Sequence, residues 1–197
     1  MSGKIITISR EFGSGGRTIA KMVADKLGIP YYDKELIKEV AEKTGFNPEF
    51  VEEAGEHAPG KSIWSFSLAY SGGSVGMSTA DFLWAMQRQV ILELAEKGPC
   101  VIVGRCADYI LRDNKDAVHV YIHADMEFKK DRIVRLYGGS EKKPENRIND
   151  KNKKRAVNYK HFTGREWGKS QNYHLSINSG AVGIERCVDI ILSLVKE

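Results

Sequence analysis

Three cysteines in 197 residues, at positions 100, 106 and 187, are too few and too irregularly placed for a disulfide framework or a zinc knuckle. The five histidines, at 57, 119, 123, 161 and 174, show no HExxH spacing, and no metal cluster is expected. No GxSxG elbow exists, which leaves a Ser/His/Asp hydrolase unsupported. No stretch approaches the roughly 20 apolar residues that cross a bilayer, and the opening MSGKIITISRE lacks the apolar centre of a signal peptide. Internal repeats and low-complexity tracts are absent as well. These absences, with 42% hydrophobic residues, predict one α/β domain, soluble and cytoplasmic, with room for a core and a small insertion.

Charge is unevenly spread. The net charge is +4, yet residues 142–160 carry eight Lys/Arg against Glu145 and Asp150, which puts +6 there and about −2 on the rest. A localised basic segment suits one anionic partner such as a polyphosphate.

Periodicity sets out the elements. Lys4 to Ser9 reads as a buried strand, and Ile19, Met22, Val23 and Leu27 then share one helical face up to Gly28 and Pro30. Asp33 is a plausible cap for a helix to about Lys43. Residues 55–78 are rich in Gly and Ser but carry Trp64, Phe66 and Tyr70, as a flexible insertion with a sticky face would, which leaves a homo-oligomer open. A helix follows from about Ala80 to Lys97, then the apolar run CVIVG, a short helix through Ile110, the strand AVHVYIHA, a helix from Asp125 to about Leu136, a basic helix to about Phe162, the strand HLSIN and a last helix from about Gly183. Strands alternating with helices predict a parallel sheet of about five strands covered on both faces.

The stretch IITISREFGSGGRT, residues 5–18, joins the first strand to the first helix through a glycine cluster. Glycines let successive backbone N–H groups converge on an anion, and the helix N-terminus adds about half a positive charge there. Thr18 stands in the first turn, where a phosphate-binding loop places the hydroxyl that binds Mg²⁺. The lysine of such loops is missing. A ligand-free glycine turn remains an alternative, as does a dinucleotide turn, although the third glycine of the latter is replaced by Thr18.

ITISREFGSGGRTIA resembles the opening of bacterial cytidylate kinases, and more closely that of the cytidylate kinase-like family of P-loop nucleoside monophosphate kinases. The resemblance continues through YYDKELI (31–37), VIVGRCADYIL (101–111), VYIHADMEFKKDRIVRLYG (120–138), INDKNKKRAVNYKHFTGREWG (148–168) and YHLSINSG (173–180). It implies a three-layer P-loop fold with a helical lid over about 129–160, an acceptor-side insertion over about 46–80, and ATP-dependent, Mg²⁺-supported phosphoryl transfer to a nucleoside monophosphate or related small acceptor. Against cytidylate kinases the loop lysine falls on Gly16 and the first loop glycine on Arg10. Arg17, beside Thr18, and Arg10 are therefore expected to supply the missing cation, around a phosphate cradle of Gly13, Ser14, Gly15 and Gly16.

Resemblance also implies that Arg105, in VIVGRC, holds the acceptor, and that Asp33 stands near it; each has a plain structural reading too, Arg105 as a partner of Asp108 or Asp33 and Asp33 as an N-cap. Arg132, Arg135, Arg147 and Arg155 fall in the lid, where closure would bring charge to the reacting phosphoryl and exclude water. Arg17, Arg105 and Arg155 are the candidate catalytic cations. Tyr159 and Trp167 read as packing residues. The competing readings are a degenerate P-loop protein that binds nucleotide without turnover and, last, a nucleic-acid binder using 142–160, for which no aromatic-basic interleaving speaks.

Overall fold

The computed structural model describes residues 4–56 and 78–195. The element order is β1 (Ile5–Arg10), α1 (Gly16–Leu27), β2 (Tyr31–Tyr32), α2 (Lys34–Thr44), α3 (Pro48–Glu56), α4 (Thr79–Glu96), β3 (Val101–Val103), α5 (Ala107–Ile110), β4 (Ala117–His123), α6 (Met126–Tyr137), α7 (Pro144–Thr163), a 3₁₀ turn (Ser170–Asn172), β5 (Leu175–Asn178), α8 (Ser179–Val182) and α9 (Ile184–Val195).

The five strands form one sheet in the order β2-β3-β1-β4-β5, every neighbouring pair parallel. β1 lies in the middle because all six of its residues are buried, as a strand covered on both faces requires. Its register sets Ile6 against Val101 and Val118, and Ile8 against Val103 and Val120. Ile6, Ile8, Val101, Val103, Val120 and Ile122 face α1 and α9, whose Ile19, Val23, Val188 and Ile191 close over them. On the other face Ile5 and Ile102 meet Leu36 and Val40 of α2, Val51 of α3 and Leu83, Ile91 and Leu94 of α4. Each such aliphatic side chain contributes about 1.5–3 kcal/mol when fully buried, so the two layers clamp the sheet from both sides.

Local signals set the helix ends. Gly28 closes α1 at φ 64°, Ser78 Oγ accepts the Asp81 N–H at 3.1 Å to open α4, and α7 begins on Pro144 and stops at Gly164 with φ 70°. At the start of the expected insertion over about 46–80, residues 48–56 are helical. Asn47 Oδ1 accepts the Glu49 N–H at 2.8 Å and Pro48 follows it, a cap-plus-proline start hidden by the Gly/Ser-rich sequence beyond. Trp64, Phe66 and Tyr70 lie outside the described residues.

α6 and α7 pack against each other beside the C-terminal ends of β1 and β4. Ile133 and Ile148 are buried between them and the body, and Phe162 stacks on Trp84 of α4 at 4.7 Å. Trp167 meets Tyr121 edge-on at 5.5 Å, a packing role as the sequence predicts. Among the described residues no helix is long and apolar enough to cross a membrane.

Candidate active site at the mouth of the first helix

β1 ends in a loop whose glycines at 13 and 15 have φ of 86° and 80°, the left-handed conformation that side chains resist. Ser14 Oγ donates to the Glu11 carbonyl at 3.0 Å, and the Ser179 hydroxyl donates to the Ser14 carbonyl at 2.5 Å. The loop is thus curled and pinned, and it delivers the chain into α1 at Gly16.

At position 16, where the resemblance would put lysine, a Cβ would overlap the Cβ of Arg10; a Cβ at Gly104 would overlap the Arg10 guanidinium. Arg10 lies under the loop, 7% exposed, with the two glycines making its channel. Its Nη2 is 3.8 Å from Asp33 Oδ1. Asp33 also meets Arg17, at 2.8 Å from Nε and 3.3 Å from Nη2, and accepts the Tyr31 hydroxyl at 3.4 Å. Asp33 precedes α2 but makes no side-chain cap bond; its carboxylate serves the two arginines instead.

α6 lies directly on the loop. A Cβ at Gly13 would stand 3.0 Å from Ile133 and from Lys129, so glycine is required there by contact as well as by conformation. The buried Lys129 ammonium pairs with Glu11 at 2.8 Å, and the same Glu11 oxygen accepts the Ala124 N–H at 3.2 Å. Arg132, one turn on, donates to Thr18 Oγ1 at 2.6 Å. α7 adds Asn152, whose Oδ1 takes the Phe12 N–H at 2.8 Å, and Arg155, which donates to the Arg10 carbonyl at 3.2 Å. Phe12 stacks on Tyr137 at 5.7 Å, with the Lys151 ammonium 4.5 Å over its ring.

Between loop and helices opens a cavity of about 410 Å³, ringed by Arg10, Arg17, Arg132, Arg147, Lys151 and Arg155, with Glu11, Glu52 and Asp150 as its acids and Phe12, Ile133, Leu136 and Tyr137 as an apolar wall. Six cations against three carboxylates leave an excess of positive charge at a helix N-terminus, which is the electrostatics of a polyphosphate site. The donor set around Thr18 includes no group of three or more His, Cys, Asp or Glu among the described residues. A magnesium ion here would have the Thr18 hydroxyl, which accepts from Arg132 in this structure, as its protein ligand, with phosphate oxygens and water for the rest.

The structure brings Arg10, Gly13, Gly15, Gly16, Arg17, Thr18, Arg132, Arg147 and Arg155 to one cavity and leaves four predicted residues out of its lining: Ser14, buried within the loop, Asp33, paired with Arg10 and Arg17 at the margin, Arg105 and Arg135. Arg135 is exposed on α6, beyond the face that carries Lys129, Arg132, Ile133 and Leu136. Arg105 is buried outside the cavity lining, its Nη1 donating to the carbonyls of Val51 and Glu52 in α3 at 3.3 and 3.4 Å. Gly104, Arg105 and Cys106 are all left-handed, with φ of 71°, 58° and 54°, a strained turn after β3 that aims Arg105 at α3. Asp108 pairs with neither arginine. Buried, it accepts the Ser9 hydroxyl at 3.1 Å and the Tyr159 hydroxyl at 2.6 Å. Burial raises its carboxyl pKa, and the Tyr159 and Ser9 hydrogen bonds oppose that rise.

The sequence reading missed Glu11, Phe12, Lys129, Tyr137 and Asn152. Lys129, Arg132, Ile133 and Leu136 follow helical spacing, so the loop-facing stripe of α6 was readable once a helix was set against the loop.

The model of the cytidylate kinase-like family matches residues 5–181. The chain belongs to that family. It is also 30% identical over 195 residues to the cytidylate kinase of Archaeoglobus fulgidus, covering 97% of this chain and 94% of that one. Among solved structures, a protein from Eubacterium ventriosum ATCC 27560 superposes with a TM-score of 0.75 at 29% identity over 99% of both chains. Shikimate kinase from Bacteroides thetaiotaomicron superposes at 0.56 with 19% identity, covering 98% of this chain and 99% of that one, and shares the fold. The cytidylate kinase-like chain therefore has the α/β fold of P-loop kinases, and its kinship is with enzymes that move phosphoryl groups.

Proposed function

We propose that this member of the cytidylate kinase-like family transfers the terminal phosphoryl of ATP, with Mg²⁺, to a nucleoside monophosphate of cytidylate-like kind or a related small phosphorylated acceptor. The observation that carries the reading is the cavity at the mouth of α1, with five arginines and a lysine around a curled glycine loop. Phosphoryl transfer needs little covalent help from the protein; it needs positioned cations around the group in flight. The amides of Gly13 to Arg17 hold the donor phosphates, Arg17 carries the charge of the absent lysine, and Arg10 supports it from below. Thr18 is the hydroxyl for the magnesium that neutralises the phosphates. The pair α6 and α7 acts as a lid of one domain, bringing Arg132, Arg147 and Arg155 over the donor.

Arg105, whose Nη1 donates to the carbonyls of Val51 and Glu52, takes part in acceptor binding from beside α3, with Asp33 nearby. A nucleotide-binding protein without turnover is the second reading, favoured by Gly16 at the lysine position and by the engagement of Thr18 with Arg132. Incubation with ATP, Mg²⁺ and a panel of nucleoside monophosphates separates the two. The kinase yields ADP and a phosphorylated acceptor and loses about 100-fold or more in rate on Arg17→Ala. Tight ATP binding with an inert panel establishes the second reading instead.

A further inference from the structure

Arg17 and Asp33 face each other across the edge of the cavity. The Arg17 side chain is 39% exposed and lines the cavity, whereas Asp33 is 11% exposed and lies outside the lining. The contact combines one hydrogen bond, Nη2 to Oδ1 at 3.3 Å, with an ion-pair approach of Nε to Oδ2 at 2.8 Å that is not aligned as a hydrogen bond. A guanidinium edge that faces a carboxylate through these two nitrogens cannot grip a phosphate with them at the same time.

From this we infer that Asp33 is a latch on Arg17: without ligand it holds the fork at the margin of the cavity, and polyphosphate binds by taking the fork over. Arg10 makes the exchange feasible. Buried beneath the loop with Nη2 at 3.8 Å from Asp33 Oδ1, it keeps the carboxylate compensated after Arg17 has gone. Asp33 is therefore a positioning residue that sets phosphate affinity from outside the cavity. The inference rests on the polyphosphate reading above and deepens it by naming the residue against which the ligand competes.

The test is isothermal titration of inorganic tripolyphosphate, and separately of ATP, into the wild type, Arg17→Ala, Asp33→Asn and the double variant at one low salt concentration, with a thermal melt of each. Because the pair is partly open to water its coupling is modest, and Asp33→Asn is expected to tighten tripolyphosphate on the order of tenfold. The same change in the Arg17→Ala background should alter the affinity by less than about twofold, since no fork remains to release. A simple loss of negative charge would instead tighten both backgrounds alike, which overturns the latch. So does a weaker or unchanged Asp33→Asn in a wild type that binds. If the wild type binds neither tripolyphosphate nor ATP, the polyphosphate reading falls with it. Asp33→Ser, without an amide to hold the fork, is the second variant should Asp33→Asn melt early, with the same outcomes expected.

Discussion

Arg10 and Gly16 exclude each other's alternatives: a side chain at 16 would begin inside the space that the Arg10 Cβ fills. The missing lysine and the arginine at the first loop position are one change seen twice. Gly16→Lys alone should therefore overpack the loop and cost about 1–3 kcal/mol. Combining it with Arg10→Gly should recover at least half of that. Urea denaturation of the two single variants and the double one checks the coupling; equal losses in Gly16→Lys and the double variant would refute it.

Glu11 and Lys129 tie the phosphate loop to α6 through a nearly buried ion pair. Lys129→Met strands the Glu11 carboxylate against the Ala124 amide and should destabilise the protein by about 1–3 kcal/mol. Adding Glu11→Gln removes the stranded charge, and the double variant should be more stable than Lys129→Met alone. Chemical denaturation midpoints decide it, with no recovery in the double variant as the contrary result.

His119 is buried in β4 opposite Thr7 of β1, its Nδ1 2.8 Å from Thr7 Oγ1 and its ring stacked on His174 at 4.9 Å. Burial first, and His174 second, lower its pKa from the ordinary 6.5 to about 4. Between those values the unfolded chain holds the proton and the folded one does not, so stability rises with pH through that window. Acidification from pH 7 to pH 4 should accordingly cost up to about 3 kcal/mol through this residue. Denaturation at pH 7, 5 and 4 should show His119→Gln with a shallower acid loss than the wild type; identical slopes would contradict the assignment.

Much of this architecture is visible in local pattern. IITISR, VIV and AVHVYIH are short β-branched runs, and glycine or proline marks the ends of α1, α4 and α7, so these elements emerge within a residue or two, whereas β2, α3 and α8 were not read. The glycine loop and most of its arginines are legible for the same reason, since motif and spacing are local. What escaped depends on distance along the chain. Lys129 and Asn152 reach the loop from more than a hundred residues away, and neither has a motif of its own. Arg105 was placed near the acceptor by resemblance; the three successive left-handed residues that turn it to α3 have no announcement in RC. Arg132 and Arg135 share spacing that suits one face, yet Ile133 in contact with Gly13 decides which edge of that face meets the loop.

The account stands on the loop at the mouth of α1 holding the donor's phosphates without a lysine. A crystal structure with a non-hydrolysable ATP analogue and Mg²⁺ tests this most directly. The analogue's β- and γ-phosphates should lie against the amides of residues 13–17, with the Arg17 guanidinium turned from Asp33 onto them and Thr18 released from Arg132. Phosphates bound elsewhere, or at the loop with Arg17 still on Asp33 and lysines of α7 supplying the charge, would contradict it.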